Sequence, residues 1–270
     1  MGPPERGGYP RSGPRASRAL ADVESLRQQS PVDWRESIRK RIKAGRARQA
    51  LWVRAIDVVR LLPSGEGRAL LWTRLVHGGE VHQTTPFTTE ERYPDLFDLS
   101  ATLAPGAARI LSFGCSTGEE LEAIRRRFPR AEIVGAEINP RSRRIAARRV
   151  NGDAGTTVVS PSEIHGSFNL IFALAVLQRK PHSIEELGLD DISSHYPFAL
   201  FDATVTEFSS RLRKRGLLCV INAQYRVEDS SVAKLLQPIA ASPAMTAPLF
   251  GPDGKRLCQA IAKTFFRKRS

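Results

Sequence analysis

Ile110-Leu-Ser-Phe-Gly-Cys-Ser-Thr-Gly-Glu-Glu120 decides the fold of this chain. Four apolar-rich residues read as a buried strand, and Gly114 to Gly118 read as a tight turn. Glu119 and Glu120 then open a helix with acids in its first turn, where they complement the helix dipole. Glycine is needed in such a turn because the backbone must bend sharply and approach a ligand without a Cβ in the way. The start of the following helix leaves unpaired N–H groups that can hold an anionic group. The next strand, Glu132–Ala136, runs straight into Glu137, an acid at a strand tip. An acid in that place accepts hydrogen bonds from both hydroxyls of a ribose.

The spacing excludes two common nucleotide loops. A dinucleotide fingerprint needs glycine at the second and third positions of G-x-G-x-x-G. Counted from Gly114, those positions are Ser116 and Glu119, and an acid at the third would repel a pyrophosphate. A mononucleotide phosphate loop needs Lys after its last glycine, and Gly118 is followed by Glu119. The ligand therefore carries a ribose, little phosphate and a cation that tolerates nearby Glu. S-adenosylmethionine, with ribose, ammonium and sulfonium, meets all three conditions.

Outward from the loop the chain alternates strand and helix. Strands are expected at Arg109–Phe113, Glu132–Ala136, Thr156–Val159, Phe168–Ala173 and Leu217–Asn222, and a terminal strand over Cys258–Arg267. Helices are expected over Glu119–Phe128, Pro140–Val150 and Phe198–Arg213. This rhythm predicts an α/β fold, a doubly wound Rossmann-like sheet with its ligand at the carboxyl ends of the strands. Thr88 opens a further helix that runs to about Leu103, before Pro105-Gly106.

Residues 1–16 hold four Pro and four Gly and read as a disordered tail. Residues 17–85 read as an Arg-rich helical cap, and 86–270 as the α/β domain. Residues 1–85 carry 16 basic and 8 acidic residues, against 25 and 20 over 86–270, so the basic bias concentrates at the N-terminal end. Three readings of the basic helices stay open: a solvated face, a grip for an acidic peptide or RNA backbone, or, least favoured, a membrane surface.

The chain has 270 residues, net charge +13, and 33 Arg among its 41 basic residues. Cys115, Cys219 and Cys258 are too few and too scattered for a disulfide framework, which fits a cytoplasmic setting. No His/Cys/Asp/Glu set has ligand spacing, so no metal is expected. No apolar run approaches a bilayer span. Nothing in the sequence signals an oligomeric state.

Ser112-Phe-Gly-Cys-Ser-Thr-Gly118 resembles motif I of class I S-adenosylmethionine-dependent methyltransferases, commonly acid-x-Gly-x-Gly-x-Gly. It departs at Ser112 and Ser116, where that family usually has an acid and a glycine. Cys115-Ser-Thr-Gly-Glu-Glu120 is similar to the chemotaxis-receptor glutamate methyltransferases, which share these departures. Glu137-Ile-Asn-Pro140, Phe168-Asn-Leu-Ile-Phe-Ala173 and Leu212-Arg-Lys-Arg-Gly-Leu-Leu218 resemble later motifs of the class. The resemblance covers about 108–270 and implies a seven-stranded methyltransferase sheet.

It also implies a cofactor set of Ser112, Gly114, Cys115, Ser116, Gly118, Glu119, Glu137, Ile138, Ser162 and Ala173. Glu137 would hold the ribose, Glu119 or Glu120 the ammonium, and Ser162 or Glu163 the adenine amine. Ala173 would pass beneath the methionine. Cys115 reads as a packed residue, since no base lies near it in the motif. Tyr93 is a candidate cover for the cofactor, and His182, Tyr225 and Arg226 are candidates on the acceptor side. The expected activity is methyl transfer to an anionic acceptor, preferentially a carboxylate on a peptide or small molecule. Alternatives are an RNA methyltransferase gripping through the basic helices, and a non-catalytic binding protein on the same fold. Ala173-Leu-Ala-Val-Leu-Gln178 stands where base-amine methyltransferases often carry Asn/Asp-Pro-Pro-Tyr, which argues against the RNA reading.

Overall fold

The computed structural model describes residue 65 and residues 93–179, 181–240, 248–258 and 262–270. The expected tail (1–16) and, apart from Gly65, the expected cap (17–85) lie outside the described residues. So do residues 88–92 of the helix expected from Thr88.

Helix α1 (Pro94–Leu103) leads into strand β1 (Arg109–Phe113), then α2 (Glu119–Arg127), β2 (Glu132–Ala136), α3 (Pro140–Arg149) and β3 (Thr156–Val159). Then come β4 (Phe168–Leu174), the short α4 (Pro181–Glu186), α5 (Phe198–Arg211), β5 (Leu212–Ile221), β6 (Leu236–Ala240) and β7 (Phe265–Lys268). The seven strands lie in the order β3-β2-β1-β4-β5-β7-β6. Strands β1 to β5 are parallel, whereas β7 runs antiparallel to both β5 and β6. Strand order reverses at β1, whose neighbours are β2 and β4, so a crevice opens at the carboxyl ends of β1 and β4.

Both faces of the sheet are covered, and the strands show it residue by residue. In β4, Leu170, Phe172 and Leu174 join one apolar cluster with Leu96 and Phe97 of α1 and Leu121 and Ile124 of α2. The alternate residues Ile171 and Ala173, and Phe168 ahead of the register shift, join another with Ile184 of α4 and Phe201, Val205 and Phe208 of α5. This period of two, apolar on both faces, is what a central parallel strand requires. Truncating such a residue, for instance Phe172→Ala, would cost about 3–5 kcal/mol.

Two differences from the expected elements have local causes. β5 begins five residues earlier than expected, because Leu212 pairs with Phe168 before the register shifts and Leu217 pairs with Leu170. Exposed Arg213, Lys214 and Arg215 bulge out between these pairs, with Arg215 at φ 61. Strand β6 was not foreseen; Pro238 and the exposed Gln237 and Ile239 mark it as an edge, where proline is tolerated.

The C-terminal basic residues belong to the fold. Arg267 Nη2 donates to the Leu103 carbonyl at the end of α1, 3.1 Å. Lys268 Nζ donates to the Ser209 and Leu212 carbonyls at the end of α5, 2.6 and 2.8 Å. Cations there satisfy terminal carbonyls and complement the helix dipole. No described helix is long and apolar enough to cross a membrane.

Candidate active site

The loop after β1 is held from the neighbouring strand. Gly114 and Cys115 both donate to the Ala136 carbonyl, at 2.8 and 3.2 Å. Gly114 is left-handed at φ 80, and a Cβ there would lie 2.6 Å from Val176 Cγ2. Its glycine thus lets the loop close on the segment after β4. Gly118, at φ 95, caps α2 and lies against α3, with a notional Cβ 3.1 Å from Ala146 Cα. Here glycine serves helix packing.

Glu137 is the best-anchored acid of the site. Its Oε2 accepts from the Ser116 N–H at 2.9 Å and its Oε1 from the Asn139 N–H at 2.7 Å. Burial pushes this carboxyl above its ordinary value, opposed by the N–H groups of Asn139 and Ser116 and by the Arg143 charge. An ionised carboxylate offers about four acceptor sites, so two N–H bonds leave capacity for a diol. Asn139 caps α3 by accepting from the Arg141 and Ser142 N–H groups, and the half-buried Ile138 lies between Glu137 and Asn139 in the chain.

The two acids of α2 separate in space. Glu119 accepts from Thr117 Oγ1 and pairs with Arg149 Nη2 at 2.8 Å, so it ties α2 to α3. Its charge is thus engaged in an ion pair between the two helices. Glu120 instead accepts from Ser112 Oγ at 2.7 Å. Ser112 stands where the resembling family has an acid, and α2 brings the Glu120 carboxylate to its side. Of the two acids, Glu120 is the one at the tip of β1.

Cys115 and Cys219 are buried, and burial followed by nearby carboxylates pushes both thiols up. Cys115 therefore stays a protonated packing group, with its sulfur against Gly135 of β2. Ala173 is fully buried in β4, and the next turn is made by Ala175, left-handed at φ 54. Ser162 is exposed on a short 3-10 turn after β3, its hydroxyl 3.2 Å from that of Ser160. Glu163 folds back to accept from the Ser160 N–H at 2.8 Å, so capping that turn occupies it.

The acceptor-side candidates divide. Tyr93, just before α1, accepts from Asn222 Nδ2 at 2.9 Å, which brings its hydroxyl to the end of β5. Tyr225 is a core residue: its hydroxyl donates to the Tyr196 carbonyl and its ring packs on Phe198 and Phe201. Burial pushes its phenol up to about 12. Arg226 forms a two-pronged pair with Asp229, 2.7 Å on both bonds, closing the turn that follows. Tyr225 and Arg226 thus each have their polar group engaged within the fold. His182 lies in α4; its side chain falls outside the described residues.

Three residues were missed. Asn222 is buried at the end of β5 and left-handed at φ 52. Gln224, fully buried, reads both the N–H and the carbonyl of Arg179, at 2.8 and 2.9 Å. Arg179 thereby holds the turn after β4, its guanidinium 5.8 Å from the centre of the Tyr196 ring. Burial lowers its pKa, which means that its charge is partly stripped of water.

A family profile described as "Methyltransferase domain" matches residues 88–258. The chain belongs to the methyltransferase domain family. Among solved structures, this methyltransferase is similar to the N-methyltransferase NodS from Bradyrhizobium japonicum WM9, at 15% identity over 67% of this chain and 96% of that one, TM-score 0.45. It is also similar to TehB from Haemophilus influenzae, at 11% identity over 67% and 64%, TM-score 0.45. A third is CalS10 from Micromonospora echinaspora, an amino pentose methyltransferase, at 24% identity, TM-score 0.35; the match covers half of each chain. No curated protein sequence matches the chain significantly. Strand order and direction, rather than these likenesses, carry the fold assignment.

The residues of the methyltransferase fit S-adenosylmethionine. The Ser116 hydroxyl is buried without a hydrogen-bond partner, on a left-handed residue at φ 49 inside the loop. A buried polar atom left unpaired costs about 1–3 kcal/mol. A polar ligand group at the loop would satisfy it, beside a carboxylate already aimed by two N–H groups. Among the described residues no cluster could hold a metal ion.

Proposed function

We propose that this methyltransferase moves the methyl group of S-adenosylmethionine to an anionic acceptor, with a carboxylate oxygen of a peptide or small molecule as the favoured atom. S-adenosylmethionine supplies an electrophilic methyl on a sulfonium. The residues of this chain would bind and orient: Glu137 the ribose, Ser116 a polar group at the loop, and Glu120, steadied by Ser112, the ammonium end.

One observation supports the carboxylate above others. The acceptor-side candidates whose side chains are described are already engaged: Tyr225 with a carbonyl and Arg226 with Asp229. A carboxylate, with a pKa near 4, needs no base to become a nucleophile at neutral pH, whereas an ammonium or hydroxyl does. Positioning and exclusion of water then supply most of the acceleration. Arg179, which Gln224 holds in the turn after β4, would be the cation that a carboxylate meets, and guanidinium pairs with carboxylate two-pronged. The loop's likeness to the chemotaxis-receptor glutamate methyltransferases points the same way.

The test is transfer of radiolabelled methyl from S-adenosylmethionine into pools of carboxylic acids, Glu- and Asp-containing peptides, amines, sugars and RNA. Carboxyl methyl esters release methanol in mild alkali, so the label should become volatile. Label that is stable to alkali, or found in amines or RNA, would overturn the carboxylate reading while keeping the methyltransferase.

A further inference from the structure

Helix α3 carries five arginines in ten residues and no acid in its first turn. Two are built into the fold. Arg143 donates to the Glu137 carbonyl at 2.9 Å, and Arg149 bonds the Thr117 carbonyl and pairs with Glu119 and Glu122. Ser142 and Ala146 turn inward, Ala146 against Gly118. The remaining three, Arg141, Arg144 and Arg148, are exposed. At i, i+3 and i+7 they form one stripe, with successive rises of about 4.5 and 6 Å along the helix. Arg144 uses only its Nε, on the Pro140 carbonyl. No acidic residue among the described ones pairs with the stripe.

Such a stripe works against its own helix. Like charges at i, i+3 and i, i+4 destabilise, and a cation in the first turn opposes the dipole. Arg148 alone is favourably placed, in the last turn. The arrangement gains its return from an anionic partner.

We propose that the Arg141–Arg144–Arg148 stripe docks the phosphodiester backbone of a single nucleic-acid strand, without reading its bases. A phosphate strand asks only for spaced cations along a line. A protein partner would ask for an apolar, aromatic centre; the stripe offers Ile145, 37% exposed, and no aromatic residue. A membrane surface would ask for an exposed apolar face, and the small inward face of α3 is already covered. This surface goes beyond the methyl acceptor: it holds a strand whether or not that strand is methylated.

The probe is a fluorescein-labelled 20-nucleotide single-stranded RNA, titrated with the full chain between 50 and 200 mM NaCl. A triple variant, Arg141→Gln, Arg144→Gln and Arg148→Gln, is compared with a control of equal charge on other surfaces, Arg213→Gln, Lys214→Gln and Arg269→Gln. The control should melt as the parent does and the stripe variant at or slightly above it, and both should bind S-adenosylhomocysteine as the parent does. Losing three phosphate contacts makes the slope of log K against log salt shallower by about 2, from about 0.7 per phosphate on a single strand. Over that fourfold range the parent should then lose about 18-fold more affinity than the stripe variant. The control should keep the parental slope. The proposal is overturned by an unchanged slope in the stripe variant or by an equal change in the control. It is equally overturned if polyglutamate of matched charge, or anionic vesicles, bind as tightly as the RNA. None of these outcomes touches the methyltransferase reading, which S-adenosylhomocysteine binding tests separately.

Discussion

Replacing Glu137 tests the cofactor site most directly. Its carboxylate carries two duties, holding the Ser116 and Asn139 N–H groups and, on the reading above, the two ribose hydroxyls. In Glu137→Ala the free protein loses two charge-assisted bonds, each worth about 1.5–3 kcal/mol. Against this it no longer keeps a buried carboxylate ionised, a cost recorded in the raised pKa. The net loss of stability should be about 1–3 kcal/mol. Cofactor affinity should fall by about 1–3 kcal/mol, or roughly 5- to 150-fold. Glu137→Gln separates the two duties. It preserves volume, but its amide nitrogen must face one of two N–H donors, so it should lose affinity while melting closer to the parent. Calorimetry with S-adenosylhomocysteine and thermal melting provide the readouts. The parent carries its own control in pH. Because the folded carboxyl titrates above its ordinary 4.5, affinity should begin to fall at a higher pH than for an ordinary glutamate, as protonation removes the acceptor. The same shift makes ionising this group a cost to the folded state, so its contribution to stability declines as pH rises through that range. Folded Ala and Gln variants that bind within twofold of the parent, with no acid dependence, would refute the assignment.

Gly114→Ala should cost about 1–2 kcal/mol for its left-handed backbone and about 1–3 more for driving Cβ into Val176. Adding Val176→Ala should recover only the second part in thermal melts, and full recovery would mean that the turn does not need glycine. Ser116→Ala removes a buried hydroxyl that has no partner, so the free protein should hold or gain up to about 1 kcal/mol while its affinity for S-adenosylhomocysteine drops. A variant that loses stability and binds normally would take Ser116 out of the cofactor site.

The parallel half of the sheet was legible because each strand there is a short apolar run between turn residues. Strands β1, β2 and β3 occupy the residues expected, and β4 runs one residue further. At β5 the reading slipped, since Arg213-Lys-Arg215 looks like the end of a helix and only the pairing with β4 reveals a bulge. β6 escaped because an edge strand with Pro238 and polar neighbours has no alternation to show. The motif singled out Gly114, Ser116 and Glu137 as candidates, but it could not give their contacts. Nothing local says that Gly114 yields to Val176, 62 positions on, or that Glu119 is taken by Arg149. Asn222 and Tyr93 are separated by 129 positions, and Gln224 and Arg179 by 45. Such partners are set by topology, which brings the ends of β4 and β5 together.

Backbone conformation explains why part of the site left no glycine signal. Four non-glycine residues among those described are left-handed: Ser116, Ala175, Asn222 and Arg215. Arg215 sits in the β5 bulge, at the amino end of the strand. The other three follow β1, β4 and β5, which are neighbours in the sheet, so the strain gathers along one carboxyl edge. Each costs about 1–2 kcal/mol over an ordinary conformation, and persists only where other contacts over-determine it. Those contacts are present. The Ser116 N–H is held by Glu137, the Ala175 N–H by the Ile221 carbonyl at 2.8 Å, and the Asn222 amide by Tyr93. Glycine at these positions would relax the chain but would leave the edge free to move. Non-glycine residues held in the strained conformation by these bonds instead give a fixed edge, and on the function proposed above such an edge would help to align a methyl donor and its acceptor.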